Sequence, residues 1–196
     1  LGEGLAAMHR AKAQPGTASS SSRRNQYGWH RDNTIGSTPQ INDWADDWVQ
    51  FWVEQRLGYQ VQLAAKNGAS SAFVRRMEKL QVALPVFFTD YRPAASLLHG
   101  DLWSGNYAFD ENGRPVIFDP AVYFGDREAD LAMTELFGGF SANFYAAYNN
   151  AWPLDSGYAT RKTLYNLYHI LNHFNLFGGG YLSQAEGMVD RLLAEC

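Results

Sequence analysis

The chain has 196 residues and a mass of 22.0 kDa, enough for one large domain or two small ones. Apolar residues make up 46% and charged ones 18%, below the roughly 25% charge of average soluble chains, which excludes intrinsic disorder. The 16 basic and 20 acidic residues give a net charge of -4, and Cys196 is the single cysteine, so a nucleic-acid footprint and an internal disulfide framework are both excluded.

In chain order, Leu1–Met8 reads as a helix with Leu1, Leu5 and Met8 on one face and no start signal ahead of it. Residues 13–40 read as an irregular loop: Pro15, Gly16, a Ser/Thr run to Ser22 and Arg23-Arg24 come first, and an aromatic and polar stretch from Tyr27 to Asn33 follows. Asn42 or Asp43 then caps a helix with Trp44, Trp48, Phe51, Trp52, Tyr59 and Leu63 at helical spacing. A second helix over 71–84 carries Phe73, Met77, Leu80 and Leu84 and stops before Pro85. Residues 107–109 and 115–118 read as a β-hairpin around the turn Asp110-Glu111-Asn112-Gly113. From Arg127 onward everything is helical, over about 127–137, 141–151, 160–176 and 182–194, with Asp126 capping the first and Gly178-Gly179-Gly180, after the third, reading as a helix C-cap or a point of close packing. The fold class is mainly α with one small β-hairpin. No run of eighteen apolar residues offers a membrane span, and the expected setting is cytoplasmic, with no membrane or nucleic-acid partner.

The chemistry concentrates around that hairpin, in segment 97–119. His99-Gly100-Asp101 is followed by Asn106 and, past the hairpin, by Ile117-Phe118-Asp119. The hairpin brings Asn106 and Asp119 to one end. A carboxylate and an amide oxygen there suit Mg²⁺, which takes oxygen ligands and keeps places for water or phosphate. Asp101 is then free to accept a hydroxyl proton, the division of labour of phosphoryl transfer.

The run His99–Asn106 resembles the catalytic loop of the aminoglycoside phosphotransferase and choline kinase branch of the protein-kinase-like fold. The longer runs Phe118–Phe140 and Leu164–His173, with Tyr27-Gly28-Trp29 and Ile35-Gly36-Ser37-Thr38-Pro39-Gln40, look like the fructosamine kinase (ketosamine-3-kinase) family. The resemblance implies ATP-dependent phosphorylation of the sugar O3 of ketosamines, including glycated lysines, as a step of deglycation. It further implies Asp101 as catalytic base, Asn106 and Asp119 as Mg²⁺ ligands, and Asp130, with His99, as support of the loop. Ala108 and Phe118 are expected to floor the ATP site.

Trp103 reads either as a stacking face for sugar or as plain packing. His169 and His173, at helical i, i+4 spacing, read as structural side chains or as lining of the sugar pocket, since no third metal ligand accompanies them. None of the four lysines, Lys12, Lys66, Lys79 and Lys162, lies in an apolar strand ahead of the loop. The whole of 1–196 is therefore expected to be the C-terminal helical lobe of the fold without its β-rich N-terminal lobe. By itself such a chain would bind ATP weakly, turn over negligibly and self-associate through the bared surface. Two alternatives stand beside this reading: an aminoglycoside or amino-alcohol kinase, and a non-catalytic remnant.

Overall fold

The computed structural model describes residues 1–11 and 26–196; Lys12, Arg23-Arg24 and the rest of segment 13–25 lie outside the described residues. The helices are α1 (Gly2–His9), α2 (Trp48–Phe51), α3 (Tyr59–Lys66), α4 (Ser71–Ala83), α5 (Arg127–Leu136), α6 (Ala142–Ala151), α7 (Tyr158–Phe177) and α8 (Tyr181–Ala194). Side-chain caps set four of their starts. Asp47 accepts from the Gln50 amide, Ser70 from Phe73, Asp126 from Glu128 and Ser141 from Phe144, each satisfying an N–H that the first turn leaves unpaired. Gly178, at φ +64°, ends α7 in the left-handed conformation that favours glycine.

The Trp-rich helix departs from expectation twice. It starts at Trp48, behind Asp47, and Trp44 precedes it. Asn42 is committed elsewhere, accepting from Arg56 and donating to Asn33. Between α2 and α3 the helix also passes through a π segment, Trp52–Gly58. The wider turn advances the buried face by one residue. Leu57, Val61 and Ala64 therefore enter the core, while Tyr59 and Leu63, expected there, are only partly buried.

The strands form three antiparallel pairs, where one hairpin was expected. β4 (Tyr107–Phe109) and β5 (Pro115–Ile117) make the expected one, with Ala108 opposite Val116. β1 (Asn33–Ile35) and β2 (Thr38–Gln40) make another within 13–40, which corrects the irregular-loop reading for that part. Strands of three residues are too short to display an alternation. β3 (Ala95–Leu98) pairs with β6 (Tyr123–Asp126), Leu98 opposite Tyr123. Every residue of β6 is buried, so it too lacks an alternating pattern.

The main core is built around α7, which packs against α3, α5 and α8, with Trp48, Trp52, Tyr165 and Leu171 at its centre. A smaller cluster joins α1 to α6 through Leu5, Phe144 and Tyr148 and takes in Leu102 and Leu131. Leu102 is fully buried, and such burial contributes about 2 kcal/mol toward anchoring the loop on which it lies. The β3–β6 pair closes the arrangement: both strands open onto the segment between Leu98 and Tyr123 that carries the polar motif.

Candidate active site

The loop after β3 crosses the segment before β6 at very short range. Gly100 has φ +83°, and a Cβ there would lie 2.0 Å from the Ala121 carbonyl oxygen. Only glycine permits both the conformation and the approach. Asp130, buried in the first turns of α5, holds this crossing from below. It accepts from the amides of His99 at 2.7 Å and Gly100 at 2.8 Å, and from His9 Nε2 at 3.0 Å. Burial alone would raise its pKa, yet the hydrogen bond and charge of His9, the charge of His99 and the Gly100 amide together hold it below the ordinary carboxylate value.

His9, a lone histidine at the end of the short α1, carries no signal of this role in the sequence. An ionised Asp130 can only accept, so His9 Nε2 donates to it, and Nδ1 lies 2.8 Å from the Tyr148 hydroxyl. His99 donates from Nε2 to the Phe118 carbonyl at 2.9 Å, tying the loop to the residue just before Asp119.

Asp101 follows the crossing. Its pKa is pushed up to about 6, first by burial and then by the charge of Asp130, with Asp119 adding to this and the hydrogen bond from Asn106 opposing it. Asn106 is buried and donates from Nδ2 to the Asp101 carbonyl at 2.8 Å and to Asp101 Oδ2 at 3.3 Å. Its amide nitrogen is thereby committed, which leaves Oδ1 as the atom for a cation. Asp119 is exposed and has φ +54°, the one positive φ at a non-glycine position among the described residues. A left-handed Asp costs on the order of 1 kcal/mol and is kept where a site requires it. Ala108 and Phe118 lie on the exposed side of the β4–β5 hairpin, outside the cavity described next.

A cavity of about 350 Å³ opens beside Asp101 and is lined by Trp103, His169 and His173 together with Phe137, Phe177 and Tyr181. The Trp103 indole lies across Gly105, where a Cβ would sit 2.3 Å from the ring. The His173 ring is packed among aromatic neighbours, with centroids 4.8 Å from Phe137, 5.2 Å from Tyr181 and 5.6 Å from Phe177. His173 Nδ1 donates to the His169 carbonyl. Burial, aided by the charge of His173, pushes the His169 pKa down to about 3, so His169 presents a neutral imidazole. Among the described residues Asp101 is the only acidic side chain lining this cavity. Among the described residues no group of three or more His, Cys, Asp or Glu gathers as a metal cluster.

The family description "fructosamine kinase" matches residues 1–195. The chain belongs to the fructosamine kinase family. A Synechocystis protein named as a ketoamine kinase is 50% identical over 98% of this chain and 61% of its own length. The chloroplastic protein-ribulosamine 3-kinase of Arabidopsis thaliana is 47% identical over 98% of this chain and 56% of its own. The ketosamine-3-kinase of Mus musculus is 42% identical over 80% of this chain and 50% of its own. Of solved structures, one named for a fructosamine-3-kinase from Thermobifida fusca superposes with a TM-score of 0.86 at 34% identity, covering 98% of this chain and 63% of that one. The chain thus spans about 61% of the Synechocystis protein's length. Kinase chemistry is the property these family and relative names share. No helix among the described residues of this fructosamine kinase family member is long and apolar enough to cross a membrane.

Proposed function

We propose that this chain carries the acceptor and metal side of a Mg²⁺–ATP-dependent ketosamine kinase that phosphorylates the sugar O3 of fructosamine- or ribulosamine-type adducts. The cavity supports this reading most: a carboxylate with a raised pKa, aromatic faces along the walls, and no second acid among the described lining residues. Sugars stack their apolar faces on rings such as Trp103, and a ketosamine nitrogen is a single cation that aromatic faces accommodate. An aminoglycoside, with several ammonium groups, calls for several carboxylates, and among the described residues this cavity offers one.

In this reading Asp101 orients the acceptor hydroxyl and takes its proton as the oxygen bonds to the γ-phosphorus of ATP and the bond from that phosphorus to the bridging oxygen breaks, ADP leaving with the electron pair. A pKa of about 6 leaves Asp101 ionised at neutral pH yet able to hold a proton. Trp103, His169 and His173 position the sugar. His169, neutral, offers a hydrogen bond without adding charge beside the acceptor. Asn106 Oδ1 and the Asp119 carboxylate fit a hard cation, since Mg²⁺ needs only one or two protein ligands when phosphate oxygens supply the rest. Bound there, Mg²⁺ would neutralise phosphate charge. Ala108 and Phe118, exposed on the hairpin, would meet the adenine.

The test is a substrate panel with the protein at its natural full length: a fructosyl-amine, a ribulosyl-amine and kanamycin, each with ATP, read by ³¹P NMR of the product. Phosphate on O3 of the ketosamines is expected. Phosphorylation of kanamycin alone would refute the assignment, and an absence of ATP binding by calorimetry would mark the protein as a non-catalytic member.

A further inference from the structure

The Ile35–Gln40 run and the buried Arg56 have no part in the chemistry above, yet hydrogen bonds join them to it. Arg56 lies in the π segment, fully buried, with its guanidinium 4.5 Å from the Phe51 ring and 4.1 Å from the Tyr123 ring. It donates to the Ile41 carbonyl at 2.6 Å and to Asn42 Oδ1 at 2.8 Å. Asn42, so oriented, donates from Nδ2 to Asn33 Oδ1 at 3.0 Å. Gln40 Nε2 donates to that same oxygen at 2.8 Å and to the Ala121 carbonyl at 3.0 Å. Asn33 Nδ2 donates to the Val122 carbonyl at 2.8 Å, and Gln40 Oε1 accepts from the Tyr168 hydroxyl at 2.7 Å. Because Arg56 can only donate, it fixes the sense of every amide after it. The donor sense runs one way from the buried cation through Asn42 and Asn33 to the Val122 carbonyl, while Gln40 donates both to the shared Asn33 oxygen and to the Ala121 carbonyl. The two carbonyls follow Asp119 by three and two residues.

Apolar side chains of similar volume would leave the Ile41, Ala121 and Val122 carbonyls without these donors. What the polar set adds is a single permitted position for the Ala121–Val122 main chain. Ala121 O is also the atom that Gly100 crosses, so the same carbonyl sets both the Asp101 loop and the Asp119 segment. At the other end of the hairpin, Ile35 and Gly36 line the cavity that Asp101 enters.

We propose that the β1–β2 hairpin is a positioning device: Asn33 and Gln40, oriented by Arg56 through Asn42, hold Ala121–Val122 and so set Asp119 relative to Asp101, while Ile35 and Gly36 close the acceptor cavity. The proposal rests on the roles given above to Asp101 and Asp119. Misplacing reacting groups by about 1 Å is enough to cost on the order of 10²-fold in rate.

The test uses the protein at natural length. Gln40→Met keeps the shape and removes the amide. Asn33→Ala, at a partly buried position, removes the Val122 bond and the oxygen that Gln40 and Asn42 share. Val189→Ala, in the core of α8 and away from the hairpin, is the control for loss of stability alone. Gln40→Met and Asn33→Ala should each raise deuterium uptake across 117–124, lower kcat by about tenfold or more, and raise the Mg²⁺ concentration for half-maximal rate; Val189→Ala should do none of these. Unchanged uptake at 117–124 in both hairpin variants, or an equal kcat loss in Val189→Ala, would overturn the proposal. If the wild type phosphorylates no ketosamine, the functional reading fails, whereas the exchange measurement still decides the role of the hairpin.

Discussion

Asp130→Asn probes the centre of this architecture with the smallest possible change. The carboxylate receives three N–H groups at 2.7, 2.8 and 3.0 Å, two on Oδ2 and one on Oδ1. An amide can accept on one side only, so whichever way it turns, its NH₂ faces at least one of these donors. A hydrogen bond to a charged acceptor is worth about 1.5–3 kcal/mol, so one lost bond with weakening of the others amounts to about 2–5 kcal/mol. At this size 1 kcal/mol moves Tm by about 2–4 °C, and a drop of roughly 5–15 °C is expected at pH 7. The Asp130 pKa is lowered in the folded protein. Its contribution to stability is therefore present above the unfolded value near 3.9 and is lost as pH falls below that through the folded value. Asn does not titrate, so the Tm gap between wild type and variant should narrow below about pH 4. Because His99 and Gly100 lose their anchor, kcat should fall about 10- to 100-fold. Circular dichroism melts from pH 7 to pH 3, with steady-state kinetics, measure both effects. A Tm within 2 °C of wild type with unchanged kcat, or a gap that ignores pH, would refute the reasoning.

Asp101→Asn should lower the chemical step by about 10²–10⁴-fold while nucleotide affinity, followed by calorimetry, stays within about threefold; a collapse of affinity would remove Asp101 from the acceptor side. Asp119→Gly should match or exceed wild-type stability by about 1 kcal/mol, since glycine relieves the positive φ, yet lose metal-dependent turnover as fully as Asp119→Ala; retained Mg²⁺-dependent rates would exclude Asp119 from the metal site. His169 has its pKa lowered to about 3, so the unfolded chain binds the extra proton below pH 6.5 and wild-type stability falls there by up to about 1.4 kcal/mol per pH unit. His169→Gln should flatten that slope between pH 6.5 and 5 in urea titrations, and parallel slopes would contradict the burial argument.

What the sequence displayed and what it concealed divide along a physical line. Caps act within a few residues, so Asp126 before α5 and Gly178 after α7 were legible. The β4–β5 hairpin was legible because Asp110–Gly113 form its turn locally, with the Gly113 amide on the Asp110 carbonyl. The π segment was not: one added residue in a turn leaves composition untouched and shows only as a shift from Tyr59 and Leu63 to Val61 and Ala64 in the core. The β3–β6 pair escaped because both strands are short and β6 is buried throughout, which erases the alternation on which strand reading depends.

The same line runs through the site itself. Asp101, Asn106 and Asp119 sit within one short stretch around the β4–β5 hairpin, which ties Asn106 to Phe118 beside Asp119, and fixed spacing is what a sequence exposes. Their supports come from far away: His9 reaches Asp130 across 121 positions, and Gln40 reaches Ala121 across 81. Neither His9 nor Gln40 touches the cavity, so their residue types carry no chemical signature. They act on one pivot from two sides, with Asp130 fixing the Gly100 amide and Gln40 fixing the carbonyl that Gly100 crosses. A glycine is required at that pivot because two independently anchored segments pass closer than a Cβ allows. The mutual position of Asp101 and Asp119 is therefore set by groups outside the cavity, and variation at His9, Gln40 or Arg56 should alter rate before it alters what binds.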